Sequence, residues 1–138
     1  MAINVLHAFQ VSIYQLLSTE ADIRSIIDKI YLSVVQDARY PFLLINILKV
    51  ENYSKINQSI NSVEFEIAAF VKDSSRNVLI KLADKIISVI QVNCLILEDN
   101  IVAGLKHKQV VIQHSQDLVT TKLSISYNAL LKTKLILL

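Results

Sequence analysis

The spacing of apolar positions changes several times along the chain, and each change marks an element. Leu6, Phe9, Ile13, Leu16 and Leu17 recur three and four residues apart, which brings them onto one face of an α-helix. Thr19 followed by Asp22 is a capping-box-like start for a short helical segment over 20–27, where the Thr hydroxyl would satisfy an orphan backbone N–H. Residues 29–33 read as a short strand. Pro41 opens a nearly continuous apolar run over 42–50, which suits a central strand or one covered on both faces. A proline is tolerated at a strand's first residue, where its missing N–H is not needed.

Residues 52–61 are polar and predict a hairpin loop. After it Val63, Phe65, Ile67, Ala69 and Val71 alternate with Glu64 and Glu66, the period-two pattern of a half-buried strand. The clearest helix covers 75–92, with Leu79, Leu82, Ala83, Ile86, Ile87 and Ile90 as its apolar stripe. Asp73 or Ser74 can cap its N-terminus, and Asp73 would also meet the positive end of the helix dipole. Strands are predicted over 95–97, 109–114 and 118–131, the last with Leu123, Ile125, Tyr127, Ala129 and Leu131 on one face. Grouped strands with hairpin-length connections predict an α+β fold, a mostly antiparallel sheet with two main helices packed on one face. No linker or repeat divides the 138 residues, so one domain is expected.

Composition sharpens this picture in two places. Apolar residues make up 53% of the chain, an excess that fits either core or an oligomer interface. The net charge of +2 is too small for a phosphate-binding surface, so no nucleic-acid partner is expected. Lys106, His107 and Lys108, like Lys132 and Lys134, read as solvated strand ends. No run approaches the roughly 18–20 apolar residues that span a bilayer, and the start carries no basic, signal-like segment; a soluble chain is expected. Cys94 is the only cysteine, which excludes an intrachain disulfide, suits a reducing compartment and reads as a buried, inert thiol.

The chemistry-bearing residues are dispersed. Gly104 is the only glycine, whereas a Walker A loop, a dinucleotide fingerprint and a nucleophile elbow each need at least two. His7, His107 and His114 show no metal-ligand spacing, and His7 reads as a packing residue. His107 and His114 could meet Glu98 or Asp99 only across a hairpin, and Glu98, Asp99 and Asn100 themselves read as an acidic turn. Glu64 and Glu66 lie about 7 Å apart along one strand face. They read as solvated carboxylates, or as partners of Lys122 or Lys49, rather than a hydrolytic pair. No catalytic residue, metal site or cofactor is therefore assigned, and a non-enzymatic protein is expected.

The order of local motifs resembles a known family. Ala21–Asp22–Ile23 stands near the end of the N-terminal helical region, Ile30–Tyr31 forms the next strand, and Gln36 and Asp37 precede Tyr40–Pro41–Phe42. Val63–Glu64–Phe65–Glu66–Ile67, then Leu82–Ala83–Asp84 in a helix, then Asp117 before a long final strand, complete the set. In this order the chain resembles the phage tail-terminator-like, head–tail completion family, which also occurs in prophages and gene transfer agents. The resemblance implies a ring-forming virion-assembly protein, with a hexamer as the expected ring. Such a ring caps the tail tube and docks the head-side connector, being assembled in the cytoplasm and carried in the particle. Its implied partners are copies of itself, the major tail tube protein and a connector or stopper protein, with no membrane. The neighbouring stopper role, or a small α+β ligand-binding protein or enzyme, is the alternative. Expected contact surfaces are the 52–61 loop, with Asn52, Tyr53, Lys55 and Asn57, and the 99–107 segment, with Asp99, Asn100, Lys106 and His107. Both also read as ordinary exposed hairpin loops.

Overall fold

The computed structural model describes residues 3–53, 58–72, 76–92, 96–97, 100–116 and 119–134. In chain order these form α1 (Ile3–Ser18), α2 (Ala21–Arg24), β1 (Lys29–Tyr31), β2 (Phe42–Asn52), β3 (Gln58–Lys72), α3 (Arg76–Val92), β4 (Ile96–Leu97), β5 (Asn100–His114) and β6 (Thr120–Lys134). The strands make one sheet in the order β1-β2-β3-β6-β5-β4. Only the β1–β2 pair is parallel; the other four are antiparallel. The fold is α+β, as the patterning predicts.

One face of this sheet carries the core. Val63, Phe65 and Ile67 of β3 stand opposite Ala129, Tyr127 and Ile125 of β6, so alternate side chains from both long strands meet the helices. Phe9, Ile13 and Leu17 of α1, Ile23 of α2 and Leu82, Ile86 and Ile90 of α3 complete the same buried cluster. Phe65 sits at its centre, edge-on to Phe9 (5.1 Å between ring centres) and stacked on Tyr127 (5.3 Å). Each helix is held mainly by its apolar stripe, as expected where burial rather than propensity stabilises a helix. Gln10 Nε2 donates to the carbonyls of Leu32 and Ile45 (3.1 and 2.9 Å), tying α1 to the β1–β2 margin.

The first half of β2 is covered on both faces, in agreement with its apolar run. Leu43 and Ile45 enter the main core, whereas Phe42 and Leu44 join Ala68 in a second cluster on the opposite face. Tyr31, Ala38 and Phe70 pack against that second cluster. The Tyr40–Pro41 peptide is cis, and the Pro41 carbonyl accepts from the N–H of Asp28 (2.8 Å) just before β1.

Several local expectations are corrected. Thr19 does not cap α2: its hydroxyl donates to the carbonyls of Gln15 and Leu16 (3.0 and 3.1 Å), closing the end of α1, and the α2 N-cap is Glu20, whose side chain makes no capping bond. Much of the described part of the polar 52–61 segment is strand, since β2 runs to Asn52, β3 begins at Gln58 and Asn52 pairs with Asn61. Asn100–His107 is strand too, not a hairpin loop. His7 is exposed rather than packed. Cys94, Asp73, Ser74 and the Glu98–Asp99 turn lie outside the described residues.

Candidate assembly interface

The expected contact residues do not form one patch. Asn52 and Tyr53 close the β2–β3 hairpin, with the Tyr53 N–H donating to Ile60 O (2.7 Å). Tyr53 Oη donates to Glu51 (2.8 Å), and Glu51 also pairs with Lys49 (2.9 Å). Asn100 opens β5 opposite Thr133, at the same end of the sheet as that hairpin. Lys55, Asn57 and Asp99 lie outside the described residues. Lys106 and His107 stand farther along β5 and, as neighbours on a strand, point to opposite faces. The structure thus brings Asn52, Tyr53 and Asn100 to one end and leaves Lys106 and His107 along the margin.

Beyond the Phe42 cluster the sheet face away from the helices carries Glu64, Glu66, Ser124, Ser126 and Asn128, with Leu130 exposed among them. Glu66 is 8% exposed, so the polar side of β3 is not uniformly solvated. Ser124 Oγ donates to its carboxylate (2.5 Å), and Asn46 Nδ2 and Lys122 Nζ approach its other oxygen at 3.4 Å. Burial pushes the Glu66 carboxyl up, but the Ser124 bond, the Lys122 charge and the Asn46 bond outweigh it and hold the group below its ordinary value. The expected partnership with Lys122 is therefore real. Glu64 pairs instead with Lys108 (3.0 Å), the extra residue of a β-bulge in β5.

The histidines do not converge. His107 and His114 lie seven residues apart on β5, roughly 20 Å or more in an extended strand. His107 packs its ring 5.3 Å from Tyr127, and His114 Nδ1 lies 3.2 Å from Thr121 Oγ1. Among the described residues no group of three His, Cys, Asp or Glu side chains could hold a metal ion. No helix among them is long and apolar enough to cross a membrane.

Three features escaped the sequence reading. A groove of about 480 Å³ runs beside β1, lined by residues from α1, α2 and the 27–31 segment. A second hollow of about 260 Å³ lies between α3 and β5, lined by Ile87, Ile90, Leu105, His107 and Tyr127, and the Tyr127 hydroxyl is buried without a hydrogen-bond partner among the described residues. Third, Val34, Val35 and Tyr40 leave apolar surface beside Phe42 and Phe70, with Val34 83% exposed. Sequence signals existed only for the last, in the Val34–Val35 pair before the Tyr40–Pro41–Phe42 motif.

No protein-family model matches the sequence, and no curated protein sequence matches it significantly. Solved structures do share its fold. A chain of the virion of a native gene transfer agent particle superposes with a TM-score of 0.76 at 15% identity, covering 95% of this chain and 99% of that one. The bacteriophage SPP1 gp17 protein superposes with a TM-score of 0.59 at 14% identity, covering 89% and 88%. Both agree with the resemblance to the head–tail completion, tail-terminator-like family.

Proposed function

We propose that this chain is a structural, non-enzymatic virion-assembly protein acting as a tail terminator. In this reading identical subunits close into a ring, a hexamer as the family resemblance implies, which caps the tail tube and offers a docking surface to the head-side connector. The observation that carries it is the end-to-end likeness to a gene transfer agent virion chain, 95% of one chain against 99% of the other. A likeness that complete leaves little of this chain for an added catalytic module. The dispersal of His107 and His114, and the engagement of Glu64 and Glu66 with lysines, support the non-enzymatic part. The apolar excess of the sequence supports a subunit interface, since obligate interfaces resemble a core cut in half. Assembly would take place in the cytoplasm, and the protein would remain in the particle.

The test is native mass spectrometry of the purified protein, alone and with the major tail tube protein, followed by electron microscopy. A closed ring, or a ring bound to tube ends, is the expected result. Monomer at every concentration, with no association with tube protein, would overturn the reading.

A further inference from the structure

The two margins of the sheet are unlike, and they fit each other. On one side β4 covers β5 only at Asn100 and Ile101, and no described strand pairs with the outer edge of β5 beyond them. The nearer part of that edge is protected by bulges at Ala103 and Lys108 and by the charges of Lys106 and Lys108, devices that discourage strand pairing. Residues 109–114, Gln-Val-Val-Ile-Gln-His, carry no bulge, no proline and no lysine. Within them Val110 and Ile112 are 40% and 37% exposed, although their positions lie opposite Ile125 and Leu123 on the helix-bearing face. An uncharged, β-branched, unpaired edge of this kind is a pairing surface.

On the opposite side the margin is β1, whose outer edge borders the 480 Å³ groove lined by Tyr14, Ile23, Arg24, Ile27, Asp28 and Ile30. Following the ladders across the sheet, Ile112 stands level with Leu123, Ala69, Leu43 and then Ile30. Gln113 is likewise level with Lys29, and Val111 with Tyr31. Counting strand directions across the same ladders, β5 runs opposite to β1. Copies related by rotation about an axis along the strands therefore present β5 to β1 antiparallel, at matching height and with the same face toward the helices.

We infer that the subunit contact is a continued sheet: residues 109–114 of one copy add to β1 of the next, and Ile112 enters the groove beside Ile30. Main-chain hydrogen bonds supply the attraction, and the groove, which takes alternate side chains, supplies the specificity. His114 comes level with Asp28, which gives the contact a complementary polar end. Because the two joined edges differ, the interface is heterologous and closes by rotation, leaving no edge open. This contact deepens the ring reading and rests on it.

The test is disulfide trapping in a Cys94→Ser background. Lys29→Cys with Gln113→Cys, both exposed and level on one face, should give a ladder of covalent oligomers under mild oxidation. Lys29→Cys with Ile112→Cys, on opposite faces, should give none, and Ile112→Lys added to the first pair should abolish the ladder while circular dichroism is unchanged. Rings without the ladder, a ladder from the opposite-face pair, or dimers from Gln113→Cys alone would overturn this contact and leave the terminator reading standing. Monomer throughout, even with tube protein, would overturn both.

Discussion

Tyr127 offers a sharp test of the packing in this fold. Its ring is stacked on Phe65 and tilted against His107, it is 3% exposed, and its hydroxyl has no hydrogen-bond partner among the described residues. A buried hydroxyl left unsatisfied costs on the order of 1–3 kcal/mol relative to water. Replacing Tyr127 by Phe removes that oxygen and keeps the ring contacts. The lost oxygen also forfeits some dispersion with its surroundings, so a net stabilisation of about 1 kcal/mol is expected. In a domain of this size that corresponds to a rise in Tm of roughly 3–5 °C. Urea unfolding should show a higher midpoint at unchanged slope, because the surface exposed on unfolding hardly changes.

The same residue contributes to the decline of stability at alkaline pH. Burial pushes the Tyr127 hydroxyl up to about 12 from an ordinary 10.0, because the charged phenolate is poorly solvated there. A folded-state value above the unfolded one contributes stability that is complete below pH 10 and is lost as pH rises from about 10 toward 12. Tyr127→Phe should flatten that decline. A loss of 1 kcal/mol or more at neutral pH, with the alkaline decline intact, would refute the reasoning by showing that the hydroxyl is held by a partner.

Three further outcomes follow from the packing. Glu66→Gln should lower stability at neutral pH by about 1–2 kcal/mol. It should also remove part of the acid limb: the wild-type carboxyl lies below its ordinary 4.5, so its contribution is present above that pH and lost as pH falls through the lowered value. Urea titrations at several pH values would show both effects. Phe65→Ala should cost about 3–5 kcal/mol by chemical denaturation, because Phe65 is fully buried between Phe9 and Tyr127. Gly104→Ala should change stability by less than about 0.5 kcal/mol, since the added methyl meets only Leu130 Cδ1 at 3.9 Å and no positive φ is present; thermal unfolding would reveal a larger loss.

The elements that bury one regular face were legible in the sequence. The 3.6-residue stripe Leu79–Leu82–Ile86–Ile90 and the alternation Val63–Phe65–Ile67 each state their own geometry, because burial selects apolar residues at the period of the element. The capping role expected of Thr19 fails because a Thr hydroxyl can donate back to a carbonyl one turn earlier as well as accept from an N–H ahead, and the sequence spacing fits both. The 99–107 segment reads as a loop although its described residues are strand, because pairing there is made by main chain against β6 and bulges at Ala103 and Lys108 break the side-chain alternation. The Asn52–Asn61 pairing is hidden for a similar reason, since polar side chains at a hairpin end reveal little about the ladder beneath them. The β1 groove has no sequence signal, because its walls come from α1, α2 and β1 and meet only in the folded chain.

The position of the bulges bears on how such a sheet could assemble without aggregating. β5 is fifteen residues long, and an unprotected edge of that length would pair with any extended chain. Its first part is bent and charged, by Ala103, Lys106 and Lys108, and Lys108 is further held inward by Glu64. Only the last six residues remain plain, and they stand level with the margin strand β1, which has just three residues and a groove at its side. An edge shortened in this way offers too few hydrogen bonds for indiscriminate pairing. In the proposed contact it gains enough stability only where Ile112 also seats beside Ile30 in a groove of mixed polar and apolar lining, which would make the groove, rather than the backbone, the element that selects the partner.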